Sequence, residues 1–394
     1  MATAKQVRLE NFSFASSVKD DVWHPKTTDE AYEWWYFDAL SDDGQDALVI
    51  IFLDNFIFSP RYNKLVGSRK PRVESQKEVQ DSEFGVQHSA FSVQNETPHS
   101  AICNPQSSVP ALAFIYYHDG KPIYRAINEF APEHFSADIV SPACNIGDSF
   151  FKFESAPYGS GYSLRVKANL PRRRRLEANL EWLSIESDLL TTPENHNHLT
   201  DKHNWNLAAP RSDVTGSIKV SDAKNKLLDV RHFRGTGYHD HNWDARWLPA
   251  AVSKWQWGRA HFDDYTAVYY RYREFDSTRP ITKLFLINDN KITIFDADYS
   301  EEKMRRNIFG VKFPREITLT AENGFELNIR QLKSIDESFF YLRFLSEAKL
   351  KCPDGKIREA FAITEHLAPK NLKYRWLDWL VNMRIGRNGK GAFL

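Results

Sequence analysis

Gly235-Thr-Gly-Tyr-His-Asp-His-Asn-Trp243 places ionisable and aromatic side chains behind a pair of glycines, at a density found nowhere else in the 394 residues. Read as a β-strand, its successive side chains point to opposite faces. Tyr238, Asp240 and Asn242 then share one face, and His239, His241 and Trp243 the other. The glycines let the backbone bend or lie close to a neighbour. A Tyr–Asp–Asn row inside a closed barrel is expected to look into a cavity.

Outward from this stretch the chain keeps the same style. The aromatic run Glu33-Trp-Trp-Tyr-Phe-Asp38, the turn Ser41-Asp-Asp-Gly44 and the apolar run 47–53 read as a hairpin. A second hairpin joins 111–117 to 121–128 through His118-Asp-Gly120. Strand-like runs recur at 150–154, 162–168, 176–185 and 214–220, then at 255–262, 265–273, 283–288, 291–296, 316–319, 326–332, 339–344 and 356–364. Their spacing of about ten residues points to antiparallel barrels or sandwiches and away from βαβ units. Residues 60–108, rich in Ser, Gln, Lys, Asn and Pro, are expected to form loops at a barrel mouth, with one strand-like piece near 85–92. The fold class is therefore all-β: two antiparallel β-barrel domains and a short C-terminal helix over 372–383. The expected divisions are an irregular segment 1–30, a first domain 31–225 and a second domain 226–394.

Composition narrows the function. The 52 basic and 52 acidic residues cancel, so no global field draws the chain to nucleic acid. Aromatic residues make up 14% of the chain, which suits β-rich cores or a large apolar ligand. Cys103, Cys144 and Cys352 are odd in number and widely spaced, which argues against a disulfide framework and fits a reducing compartment. The first 20 residues have no apolar secretory region, and no run approaches the roughly 20 residues needed to span a bilayer. A cytoplasmic location is the expectation. In the C-terminal helix, Trp376, Trp379, Leu380 and Met383 fall at i, i+3, i+4, i+7 with Lys373, Arg375 and Arg384 beside them. Packing across a barrel end is the commoner use of such a helix; a peripheral membrane anchor is the functional one.

Familiar signatures are absent. Gly235-Thr-Gly237 would need a third glycine at 240, where Asp stands, so it is no dinucleotide fingerprint. His239 and His241 with a third histidine could ligate a metal, but no HxxxH helix or cysteine ligand supports this, and none is expected. Asp240 is the sharper candidate. A carboxyl among aromatic side chains has its pKa raised by desolvation and can act as a general acid. Tyr238 and Asn242 could orient it or hold a water, and indole faces can stabilise a carbocation. Trp255 and Trp257 share a face with Arg259. Arg259 either pairs with Asp240 or Glu33, or grips a ligand; pairing with Asp240 would spoil the acid.

At these residues the sequence resembles the hydroxyneurosporene synthase family, the carotenoid 1,2-hydratases, and their lipocalin-like relatives. Glu33–Asp38, His203-Asn-Trp205, Gly235–Trp243 and Trp255-Gln-Trp-Gly-Arg259 carry the resemblance over roughly residues 30–365. It implies two lipocalin-like barrels with a hydrophobic ligand near their junction, and addition of water to a terminal double bond without a cofactor. The family's proton donor falls on Asp240. Tyr238 matches a residue expected to stabilise cation or water, and Trp243 or Trp257 a second. Glu33, Trp34, Trp35, His203, Trp205, His239, His241, Asn242, Trp255, Trp257 and Arg259 are the candidate substrate-binding residues. Asp244 stands where many relatives have glycine, an extra carboxylate that can alter the loop or the cavity charge. The resemblance also covers Diels–Alderases and other cyclases of polyketide or terpenoid intermediates, and a non-catalytic lipophile-binding protein fits the same fold.

Overall fold

In the computed structural model, which describes residues 12–26, 28–67, 108–157, 159–189 and 203–385, the alternating strands form two β-units. The first is a 12-stranded sheet. It runs from Lys121–Glu129 through Ala111–His118, Asp46–Leu53, Tyr32–Ser41, Leu227–Asp244, His203–Ser221, Arg174–Glu186 and Gly159–Leu170 to the short strands between 135 and 156. The second is a closed eight-stranded barrel from Val252–His261 to Ile357–Leu367.

The first sheet curls without backbone pairing between its ends. Its end strand Lys121–Glu129 is instead joined by a side chain to the non-adjacent strand Gly159–Leu170: Asn128 Nδ2 donates to the Asn169 carbonyl (3.2 Å), and the Asn169 amide donates to Asn128 Oδ1 (2.7 Å). A buried amide side chain can replace one rung of a ladder because it carries both a donor and an acceptor.

Three divisions differ from the sequence reading. The boundary expected at 225/226 moves to 244–252, because Leu227–Asp244 pairs with Tyr32–Ser41 and His203–Ser221 inside the first sheet. Residues 222–226 are only the turn of that long hairpin. The segment read as irregular before residue 30 contributes a strand, Phe12–Ala15, parallel to His203–Ser221, and a buried Asp21. The loop-like composition after residue 60 opens with an α-helix, Pro60–Gly67, started by a proline that needs no donor there. The strand-like piece at 85–92, together with Cys103, His196 and His198, lies outside the described residues. Cys144 and Cys352 are free thiols.

Two apolar cores fill the two units. Trp35, Phe37, Phe52, Phe151 and Trp182 fill the first, and Phe262, Leu284, Leu319 and Leu350 the second. A third cluster lies between them. Trp34, Tyr36, Val49 and Ile115 turn away from the first core and meet Trp255, Trp257, Tyr270 and Ile363, which turn away from the second. The period-2 alternation of each strand thus serves one core and the junction.

Gly235 shows why the paired glycines are needed. A Cβ built there would stand 2.1 Å from the Leu40 carbonyl oxygen, a backbone atom that cannot rotate aside. Gly235→Ala is expected to cost about 1–3 kcal/mol of stability, read as a lower urea midpoint at unchanged m-value.

The C-terminal segment makes 3₁₀ turns at Pro369–Lys373 and Arg375–Leu377 before the α-helix Asp378–Ile385. Val381 and Ile385 face inward, whereas Trp376, Trp379 and Met383 face out. The aromatic stripe therefore does not pack across a barrel end.

Candidate active site

Strand register places the site. Leu227–Asp244 pairs with Tyr32–Ser41 so that Tyr238 lies opposite Asp38, Asp240 opposite Tyr36 and Asn242 opposite Trp34. On the other side Trp205 lies opposite Asn242, within diagonal reach of Asp240. All these side chains look into the junction. The Tyr–Asp–Asn row thus faces a cavity between the two units, not the inside of a barrel, where the sequence reading had put it. The His239/His241 face is the one that points into the first core.

Asp240 is 5% exposed. Its Oδ2 accepts from the Tyr238 hydroxyl (2.6 Å) and the Trp205 indole N–H (2.9 Å), and its Oδ1 accepts from Asn242 Nδ2 (3.0 Å). The Trp257 N–H in turn reaches the Tyr238 oxygen at 3.3 Å. Burial pushes the Asp240 pKa up to about 7, and the nearby Glu365 and Asp38 carboxylates push the same way, against the pull of the Tyr238 and Trp205 donors. No cation pairs with it among the described residues.

The alternatives left open for Arg259 are decided elsewhere. Its guanidinium binds Asp38, with Nε and Nη2 each 2.7 Å from Oδ1. Arg343 takes the other oxygen of Asp38 at 2.8 Å and also contacts Glu365 and the Tyr36 hydroxyl. Tyr341 donates to Glu365 (2.8 Å). This buried group neutralises its own charges and leaves Asp240 without a counterion.

The cavity measures about 320 Å³, at the small end of the ~300–1,000 Å³ usual for small-molecule sites. Trp34, Tyr36, Trp255, Trp257, Asp240 and Asn242 line its deep part, with Arg343 and Glu365 beside them. Phe309 and Met383 line it too and are also solvent-exposed, which marks the mouth.

Other sequence candidates lie elsewhere. His203 is buried, its Nε2 2.6 Å from the Tyr270 hydroxyl, and burial lowers its pKa to about 3, so it stays neutral. Trp243 stacks on His24 at 4.0 Å, on the far face of the strand from Asp240. The structure therefore does not bring it into the cavity; Trp257 and Trp205 are the indoles beside Tyr238 and Asp240. Trp35 stacks on His241 at 4.6 Å, and Phe37 on His239 at 3.8 Å, both inside the first core. There Asp21 joins His239 (2.9 Å) to His241 (3.1 Å), and Glu33 joins His241 (2.6 Å) to His24 (2.9 Å). The ligand atoms of His24, Glu33 and His241 lie within 4.8 Å of one another. His24 Nδ1 and His241 Nε2 both hydrogen-bond Glu33 Oε1, and the Lys26–Asp54 ion pair (3.1 Å) adds a buried cation near Glu33. Asp244 is held by Arg246 at 2.8 Å, off the cavity wall.

The sequence reading passed over Tyr36, Asp38, Arg343 and Glu365. A signal was present: Trp34, Tyr36 and Asp38 alternate with Glu33, Trp35 and Phe37, and Arg343 is a lone cation between Leu342 and Phe344.

A model of the family described as "Carotenoid hydratase CrtC" matches residues 164–393. A curated relative named hydroxyneurosporene dehydrogenase, from Chlorobaculum tepidum, is 25% identical over 375 residues, covering 94% of this chain and 91% of its own. Among solved structures, an AttH-type protein from Nitrosomonas europaea superposes with a TM-score of 0.53 at 13% identity, covering 93% of this chain and 98% of that one. CghA superposes with 0.51 at 11% identity, covering 91% and 94%. These two likenesses concern the fold.

Proposed function

The chain belongs to the CrtC carotenoid hydratase family, and on that footing we propose that it adds water to the terminal double bond of an acyclic carotenoid or related polyene, without a cofactor, using Asp240 as the acid. The observation that carries the reading is a buried carboxyl, raised to about 7, in the wall of an aromatic cavity. Because Oδ2 accepts two donors, the acidic proton sits on Oδ1. Transfer of that proton to the CH carbon of the terminal double bond leaves a tertiary cation on its dimethyl carbon. The ring faces of Trp34, Tyr36, Trp255 and Trp257 are suited to stabilise it. A water held near Tyr238 and Asn242 attacks the cation, and its surplus proton returns to the Asp240 carboxylate. The sum is one alkene plus one water. The cavity's size suits one end of a long polyene, with the remainder leaving through the mouth.

Gly235 and Gly237 lie within a paired strand, so their backbone donors serve the sheet and not a phosphate.

The test is hydration of an acyclic carotenoid in D₂O. One solvent deuteron should enter at the CH carbon of the former double bond and the hydroxyl at its dimethyl carbon, with a mass gain of one water; an isomer of unchanged mass would indicate cyclisation and overturn the reading. The pH profile follows from the same group. Only protonated Asp240 can donate, so the rate should be flat below about 7 and fall tenfold per pH unit above it. Stability runs the same way. Between the ordinary value of 3.8 and about 7 the native carboxyl holds a proton that the unfolded chain has released. This contribution is present below the ordinary value and is lost as pH rises through the folded one.

A further inference from the structure

The rim of the cavity mouth is apolar and exposed, and it is built by two separate pieces of chain. One is the hairpin around 303–313, whose tip carries Ile308, 88% exposed, and Phe309. The other is the C-terminal segment, which turns Trp376 (73% exposed), Trp379 (56%) and Met383 outward. Phe309 and Met383 line the cavity itself, so the two apolar tips flank one opening. Soluble surfaces rarely gather side chains of this size without a partner.

Charge points to the kind of partner. Residues 303–312 contain Lys303, Arg305, Arg306 and Lys312 and no acidic residue. Residues 370–385 contain Lys370, Lys373, Arg375 and Arg384 against the single Asp378. These two stretches thus carry a local positive excess on a chain that is neutral overall. Arg305, Arg306, Lys312, Lys370 and Lys373 form no ion pair among the described residues. The Lys373 ammonium lies 5.1 Å from the Phe275 ring centroid and 5.9 Å from that of Trp247, contacts that bring no neutralising charge to it.

From these observations we propose that the rim docks onto an anionic lipid bilayer, with Ile308, Trp376 and Trp379 entering the headgroup boundary and the basic side chains meeting lipid phosphates. A molecule dissolved in acyl chains then reaches Asp240 through the mouth without crossing water. Tryptophan and basic side chains together are the usual interfacial combination. Docking depends on the surface alone and stands apart from the chemistry assigned to Asp240.

The experiment is flotation of the full chain with vesicles of phosphatidylcholine alone or phosphatidylcholine with phosphatidylglycerol, at low and high salt. The chain is expected to float with the anionic vesicles and to be released by salt. Trp376→Glu/Trp379→Glu should cut the bound fraction by about tenfold or more. Its thermal midpoint should not change, nor its turnover of detergent-dispersed substrate, since neither residue lines the cavity. Lys370→Glu/Lys373→Glu should weaken binding to anionic vesicles only. Failure of the wild type to float, or equal flotation of wild type and the double tryptophan variant, overturns the proposal. So does a dimer in sedimentation that the double tryptophan variant splits while vesicle binding is absent, because the rim then serves a second copy of the chain.

Discussion

Asp240→Asn is expected to reduce hydration by about 10²–10⁴-fold, the usual scale for a lost general acid, while the fold is kept. The asparagine fills the same volume and its carbonyl can still accept from Tyr238 and Trp205. Its unfolding free energy should decline less steeply than wild type between pH 4 and 7, because the Asp240 carboxyl no longer holds a proton in the native state alone. Substrate binding should persist, since the aromatic walls are untouched. Activity within a few-fold of wild type would remove Asp240 from the mechanism. A loss accompanied by a collapsed thermal midpoint would make it structural instead.

The second large effect concerns stability. Arg343→Met is expected to cost about 3–5 kcal/mol, the range for removing one partner of a buried ionic group. Arg343 is 2% exposed and answers both Asp38 and Glu365; without it two carboxylates face a low-dielectric junction with only Arg259 between them. Urea unfolding gives the loss directly. Combining Arg343→Met with Glu365→Gln should recover part of it, because the stranded charge is then gone. A loss below about 1 kcal/mol would put Arg343 with solvent-screened surface pairs.

Much of the fold was legible because alternation is a local property. The strands after 111, the hairpins at Gly44 and Gly120 and the split of the 238–243 side chains into two faces all follow from period-2 patterning. What each face looks at was not legible. Tyr238, Asp240 and Asn242 alternate identically whether they line a barrel interior or a junction; only the positions of Trp255 and Trp257, which belong to the other unit, distinguish the two. The domain boundary failed for a related reason. The division was set at 225/226, between two strand-like runs, yet residues 222–226 turn a hairpin whose second strand pairs with residues 32–41. The partner of Arg259 was hidden by distance, since Asp38 is 221 residues away. The Asp240 cluster was legible because, apart from Trp205 and Trp257, its hydrogen-bonded neighbourhood lies within five residues.

Asp38 takes both of its cations from the second unit, 221 and 305 residues downstream. During synthesis the first sheet therefore emerges with the Asp38 carboxyl on its outer face before either partner, Arg259 first and Arg343 later, has been made. Long-range closures of this kind are slow. The junction between the two units therefore cannot close before the second unit has been made. A chain truncated before residue 343 would offer an apolar wall of Trp34 and Tyr36 to chaperones and proteases and could not assemble a site that works in part.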